Sequence, residues 1–115
     1  MPKFMMASLV NAKPGADREL TDWLGEIHLP EVVENGGFIK ARCLRLIEDL
    51  VPGQPSYRYL ILYEGECADP VRALDQLNAA HAEQKIQPSE ALDPSLWVGL
   101  FEEMPFGEYH KKWKA

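Results

Sequence analysis

The feature that most constrains the fold is the order of two kinds of segment along the chain. One kind has the length and composition of a β-strand, and the other has the apolar spacing of a helix. Segments of strand length and strand composition cover residues 4–11, 38–47, 57–64 and 96–104. Helical spacing of apolar residues separates the first strand from the second and the third strand from the fourth. Only a loop, punctuated by Pro52 and Pro55, joins the second and third strands, which predicts an antiparallel hairpin. The predicted order is β-α-β-β-α-β.

The first helix is predicted to begin near Asp17. Its apolar residues recur at the spacing of a single helix face and are Leu20, Trp23, Leu24 and Ile27. Pro30 disturbs or ends this helix, because proline has no N–H and clashes with the preceding turn. Val32 and Val33 nevertheless indicate a further helical turn.

The second helix is predicted to begin at Asp69-Pro70, with the aspartate as its cap and the proline in its first turn. It is expected to end before Pro88. Its inward stripe is predicted to comprise Val71, Leu74, Leu77 and His81.

This order of elements is typical of the α+β, ferredoxin-like arrangement, a four-stranded antiparallel sheet with two helices on one face. We predict that residues 1–104 form one such domain and that residues 105–115 form a C-terminal tail. The helix-free face is expected to carry Phe38, Tyr59 and Tyr63. Since so large an apolar face is rarely exposed in a monomer, we predict a homodimer that encloses an α/β barrel.

Composition narrows the classes of function. A chain of 115 residues is long enough for one domain, and its net charge of −6 argues against nucleic acid as a partner. Cys43 and Cys67 lie outside the spacing of known metal sites, so we expect neither a metal nor a disulfide framework. No apolar run approaches the length of about 20 residues that spans a membrane. We therefore expect a cytoplasmic protein without a membrane partner.

His28 is the most suggestive polar residue, because it lies near a helix end beside Trp23 and two residues before Pro30. Imidazole is the side chain whose ordinary pKa lies near neutrality, so proton chemistry is one interpretation. The alternative is structural: a histidine in the last helical turn that bonds a free carbonyl and interacts with the helix dipole.

Three motifs carry a resemblance to a known family. They are Trp23 to Pro30 (WLGEIHLP), Gly37-Phe38 at the start of the second strand, and Tyr59 to Glu64 (YLILYE). With the element order, they make the chain similar, over residues 4–104, to the dimeric α/β-barrel superfamily and most similar to its EthD-like group. The resemblance implies a cavity between sheet and helices that binds a small, often aromatic molecule. It also implies that His28 lines this cavity, with His81 in the region of a second cavity histidine of some cyclase relatives.

We expect His28 to act as a general base and Tyr63 to hydrogen-bond a substrate oxygen. The expected ligand contacts are Tyr59, Arg42, Trp97, His81 and Trp23. All of them except Trp97 have a structural alternative. The tyrosines could fill the dimer core, Arg42 could form a salt bridge at the barrel rim, and Trp23 and His81 could pack in the core.

The resemblance and these residues together predict a cofactor-independent enzyme that abstracts a proton from a small apolar or aromatic compound. An isomerase, a cyclase, a lyase and a monooxygenase can each begin from the resulting anion. The alternative is a non-catalytic, ligand-binding or stress-associated dimeric protein with the same cavity. A second alternative is an accessory subunit whose cavity is filled.

Overall fold

The computed structural model describes residues 3–111, and the element order in it is the predicted one. The elements are β1 (Lys3–Val10), α1 (Asp17–Trp23), a π-helical turn (Leu24–His28), α2 (Leu29–Gly36), β2 (Lys40–Arg45), β3 (Tyr59–Glu66), α3 (Pro70–Ala82) and β4 (Trp97–Glu102). The first three helical elements are continuous and correspond to the first predicted helix. Within this part of the chain, no helix has the length and apolar character that crossing a membrane requires.

The four strands form one sheet in the order β2-β3-β1-β4, and every neighbouring pair is antiparallel. In the central strand β1, Met6 lies opposite Tyr63 of β3 on one side and opposite Leu100 of β4 on the other. Apolar residues occupy both faces of β1, and the helices cover the face that carries Phe4, Met6 and Val10. The predicted ferredoxin-like fold, a four-stranded antiparallel sheet with helices on one face, is confirmed.

Pro30 disturbs the first helix without ending it. The N–H of Leu29 donates to the carbonyl of Leu24, five residues earlier, so the chain makes a π turn just before the proline. Pro30 then lies in the first turn of α2, directly after the π turn. The helix ends only at Gly36, and the next residue, Gly37, has a φ of 83°, the left-handed conformation that glycine favours.

Helix α3 begins as predicted, with the Asp69 carboxylate accepting a hydrogen bond from the N–H of Val71 at 3.2 Å. Its predicted stripe is wrong at Val71, which is 69% exposed. Leu77 points into the core as predicted, and Ala80, which the predicted stripe lacked, is buried with it, because both lie on the side that meets the sheet and α2. His81 is exposed.

The predicted assignment of the aromatic residues to the helix-free face is also wrong. Phe38, Tyr59 and Tyr63 are buried in the core on the helix side of the sheet. The strand register explains this, since Tyr63 lies beside Met6 and Tyr59 beside Val10, both of them buried. The helix-free face, here called the open face, carries a different apolar set: Met5, Ala7, Leu9, Leu44, Leu60, Leu62, Trp97 and Phe101.

Candidate functional site

A cavity of about 310 Å³ lies between the helices and the sheet. Its polar lining residues are Ser8, Trp23, His28, Tyr63 and His81. The others are apolar: Met6, Val10, Leu24, Val32, Ile61, Leu77, Leu92, Leu96 and Val98. No Asp, Glu, Lys or Arg belongs to this lining, so the cavity suits an uncharged molecule. Its size and composition match those of small-molecule sites.

The π turn determines where His28 lies. Two residues five positions apart differ by about 140° around a regular α-helix and therefore occupy different faces. The wider π turn brings Trp23 and His28 to the same side, where their rings stack with centroids 4.2 Å apart and planes 20° apart. Both rings then face the cavity. Single π turns are frequent at functional sites.

Burial keeps His28 uncharged. It lowers the pKa of His28 from 6.5 to about 4, assisted by the neighbouring His81 and partly opposed by Glu31. The imidazole is therefore neutral at pH 7 and retains a lone pair that can accept a proton.

Tyr63 lines the cavity next to His28. Its ring meets that of His28 edge to face, with centroids 6.3 Å apart, and packs against Phe38 at 5.5 Å. Burial, and to a smaller extent Cys43, raise the pKa of Tyr63. The phenol thus stays protonated and offers a hydrogen-bond donor to a ligand oxygen.

Two polar atoms in the cavity wall are buried without a hydrogen-bond partner among residues 3–111: Trp23 Nε1 and His28 Nδ1. Buried polar atoms in proteins are nearly always paired, with protein groups or with water. Indole N–H is a donor only, whereas a neutral imidazole nitrogen donates or accepts. The Trp23–His28 pair therefore has unused hydrogen-bonding capacity beside the cavity.

The structure places the other predicted ligand contacts away from this cavity. The hydroxyl of Tyr59 donates to the Asp17 carboxylate at 2.8 Å, and Asp17 also pairs with Arg58 at 3.6 Å. Arg42 and Trp97 lie on the open face, since their strand neighbours Cys43 and Val98 are the residues that point toward the helices. The predicted residues that share the cavity are His28, Tyr63, Trp23 and His81.

Ser8, Leu92 and Leu96 line the cavity and were not predicted as site residues. Ser8 could have been recognised from the sequence as a candidate, because it is the single polar residue in the apolar run Phe4–Val10. Leu92 and Leu96 lie in the long connection between α3 and β4, where no periodicity indicates which side chain turns inward. Leu92 is held by a bridge to Ala12.

Within residues 3–111, no group of three or more His, Cys, Asp or Glu side chains is arranged to hold a metal ion. What the cavity assembles is a neutral imidazole and a protonated phenol among mostly apolar side chains. Such a set can bind an uncharged, oxygen-bearing molecule and can move a proton at one of its atoms.

Comparison with solved structures identifies two similar folds. One is described as a dimeric ferredoxin-like protein of unknown function from Thermobifida fusca YX; it shares 15% identity at a TM-score of 0.51 over 88% of this chain and 91% of that one. The other is an ethyl tert-butyl ether D (EthD) family protein from Bacillus halodurans C-125, with 15% identity and a TM-score of 0.53 over 90% and 100% of the two chains. No protein-family model and no curated protein sequence matches the chain. The predicted resemblance is confirmed as a resemblance of fold.

Proposed function

We propose that the protein binds a small, uncharged apolar or aromatic molecule in the cavity and that His28 takes a proton from it. The observation that carries this proposal is the convergence of His28, Trp23 and Tyr63 on one uncharged cavity of about 310 Å³. The reaction is of the isomerase, cyclase, lyase or monooxygenase type and needs no cofactor in its first step.

The proton transfer follows from the side chains present. The neutral His28 accepts a proton from a phenol or from a carbon next to a carbonyl, and the ligand becomes a phenolate or an enolate. Tyr63 donates a hydrogen bond to the oxygen on which the negative charge develops. The imidazolium and the anion form together, so their attraction offsets the cost of burying each charge.

Ligand binding without catalysis is the second candidate function, and the low pKa of His28 favours it. A base whose conjugate acid has a pKa of about 4 has a weak driving force for accepting a proton at pH 7. In that case the protein holds its ligand in the same cavity, as the predicted binding or stress-associated protein would.

Three aromatic probes of similar size test the site: 2-acetylnaphthalene, 1-naphthol and 2-naphthoate. We expect the neutral ketone and phenol to bind, measured by calorimetry, and the carboxylate to bind at least about tenfold more weakly, because no charged group lines the cavity. If none of the probes binds, or if the carboxylate binds best, the proposed small-molecule site is wrong.

Exchange of the methyl protons of 2-acetylnaphthalene in D2O, followed by NMR, tests the proton abstraction. We expect the wild-type protein to accelerate exchange about 10²–10⁴-fold over His28→Gln, with Kd values that agree within a few fold. Tyr59→Phe, which changes a tyrosine outside the cavity, is the matched control and should exchange like the wild type. Binding without accelerated exchange would establish the second candidate function.

We also propose that the protein is a homodimer that buries the open face. Support comes from the apolar character of this face, where Phe101 is 52% exposed and Trp97 44%. The Thermobifida protein of similar fold is described as dimeric. Sedimentation equilibrium at micromolar concentration tests the assembly, and a single monomeric species would contradict it.

The proposed location is the cytoplasm. Cys43 and Cys67 are both free thiols, as is usual in a reducing compartment. Fractionation of cells that express the tagged protein tests this, and recovery outside the cytoplasmic fraction would contradict it.

A further inference from the structure

Ser8 lies at the centre of the wall that the sheet contributes to the cavity. In the register of the sheet it stands directly opposite Ile61 of β3 on one side and Val98 of β4 on the other. All three residues line the cavity. Since neighbouring strands lie about 4.8 Å apart, this row of residues crosses the wall over about 10 Å, with Ser8 at its midpoint.

The hydroxyl group of Ser8 is buried and unpaired. Ser8 is 7% exposed, and no hydrogen bond among residues 3–111 involves its hydroxyl. The fully enclosed polar atoms without a partner are Trp23 Nε1 and His28 Nδ1 in this part of the chain. Ser8 Oγ is not among them, so it retains accessible surface, and this surface faces the cavity that Ser8 lines.

The fold gains nothing from this hydroxyl. A polar group that is buried without a partner is destabilising, because it has left water and gained no hydrogen bond. An alanine at position 8 would keep the backbone bonds of β1 without this cost. A partner that enters the cavity, either a water molecule or an oxygen of a ligand, removes the cost. The position of Ser8 is therefore explained by what the cavity holds.

Ser8 and Tyr63 offer two separate polar positions on the same wall. Met6, the neighbour of Ser8 on this face of β1, lies opposite Tyr63. Ser8 and Tyr63 are thus diagonal neighbours across two strands, with their Cβ atoms about 7–8 Å apart. Ile61 lies beside both of them and is apolar. The wall therefore presents two hydroxyl groups with an apolar surface between them, and His28 adjoins the one at Tyr63.

We propose that Ser8 is a specificity-determining residue that hydrogen-bonds a second oxygen of the ligand while Tyr63 binds the first. This inference rests on the proposed function and narrows its class of ligand to uncharged aromatic compounds with two separate oxygen substituents. A serine hydroxyl both donates and accepts, so the second oxygen is that of a hydroxyl or of a carbonyl group. A ligand without it leaves Ser8 unpaired and cut off from water, and therefore binds more weakly.

Calorimetry with 2-acetylnaphthalene and its 5-, 6- and 7-hydroxy derivatives tests this assignment, because the derivatives add one hydroxyl at different positions of the ring that carries no ketone. We expect at least one derivative to bind the wild-type protein about five- to tenfold more tightly than the parent compound. Ser8→Ala should bind this derivative no more tightly than the parent. The matched control is Ser56→Ala, which removes a hydroxyl bonded to Asp49 in the loop between β2 and β3 and should keep the preference.

Tyr63→Phe shows whether the two contacts are separate. It should weaken binding of the parent and of the preferred derivative by a similar factor, so that the preference survives. If the preference is lost in Tyr63→Phe and kept in Ser8→Ala, the added hydroxyl meets Tyr63 and the role of Ser8 is overturned.

The stability of the ligand-free protein separates a role in binding from a role in the fold. Ser8→Ala should have a Tm no lower than that of the wild type, because no hydrogen bond is lost. A lower Tm would mean that the hydroxyl bonds within the protein, and this would overturn the inference.

The outcomes also separate this inference from the proposed function. If 2-acetylnaphthalene binds but no derivative binds more tightly, the role of Ser8 is overturned and the small-molecule site stands. If none of the four compounds binds, the proposed site fails, and the role of Ser8 fails with it.

Discussion

At the scale of single residues, His28 combines burial, which lowers its pKa, with an Nδ1 atom that has no hydrogen-bond partner among residues 3–111. Its neighbour on the ring face is Trp23, and its neighbour at the ring edge is Tyr63. The sequence predicted that His28 would face a ligand, through its motif and its position near Pro30. It could not predict the burial that lowers the pKa, because this depends on the sheet beneath the ring.

The shifted pKa of His28 predicts a pH dependence of stability. The unfolded chain takes up this proton near pH 6.5 and the folded chain only near pH 4, so the unfolded state holds more protons between these values. The contribution to the free energy of unfolding is complete above pH 6.5 and falls as the pH is lowered toward 4. The loss from this residue is about 3 kcal/mol at most.

Urea denaturation at pH 7.0, 5.5 and 4.5 measures this loss. We expect the wild-type protein to lose more stability than His28→Gln over this range. The control is His110→Gln, which alters an exposed histidine of the C-terminal tail and should behave like the wild type. Parallel curves for the wild type and His28→Gln would contradict the assignment.

Loss of the hydroxyl group should affect stability at Tyr59 and ligand binding at Tyr63, the two buried tyrosines of β3. Tyr59→Phe removes the hydrogen bond to Asp17 and should lower the free energy of unfolding by about 1 kcal/mol without changing ligand affinity. Tyr63→Phe should weaken binding of 2-acetylnaphthalene about five- to tenfold, the equivalent of one hydrogen bond. Denaturation and calorimetry on both variants check this. Equal effects on binding would show that Tyr63 has no special contact with the ligand.

At the scale of elements, the sequence predicted the order of strands and helices well and the orientation of single faces less well. The alternation in β3 separates Tyr59, Ile61 and Tyr63 from Leu60 and Leu62, but both sets are apolar. Which set faces the helices depends on long-range pairing with β1. The π turn could not be predicted either, because Pro30 indicates a disturbance of the helix but not the type of disturbance.

Two glycines of the first helical stretch should respond oppositely to a methyl group. Gly25 in the π turn has open space around the position of a Cβ atom, so Gly25→Ala should raise the free energy of unfolding by about 0.5–1 kcal/mol. Gly37 has a positive φ, and a Cβ atom there would lie 2.6 Å from the Gln76 side chain. Gly37→Ala should therefore be destabilising by at least about 1 kcal/mol. Thermal denaturation of both variants tests this, and a stabilised Gly37→Ala would contradict the end assigned to the helix.

At the scale of the whole molecule, the sequence predicted the fold and an apolar helix-free face, but not the residues that form that face. Tyr59 and Tyr63 lie on the helix side of the sheet, so they do not support the predicted dimer. Its support comes instead from Leu44, Leu60 and Phe101. These residues are apolar and occupy a sheet face that no helix of residues 3–111 covers.

Association through the open face should make stability depend on protein concentration. We expect the Tm to rise with concentration for the wild type, because only the folded chain associates. Phe101→Glu should abolish this rise and yield a monomer by sedimentation. The cavity lies on the other side of the sheet, so binding of 2-acetylnaphthalene should survive. A Tm independent of concentration in the wild type would argue against association.

The uncharged lining of the cavity also bears on how a ligand would reach the protein. The chain has a net charge of −6, and its cavity offers no cation to compensate an anion. The molecules best suited to the cavity are neutral and mostly apolar, and these are the molecules that dissolve in lipid bilayers. Such a ligand would partition between membranes and water. Its free concentration in water, lowered by that partition, would then determine the occupancy of the cavity.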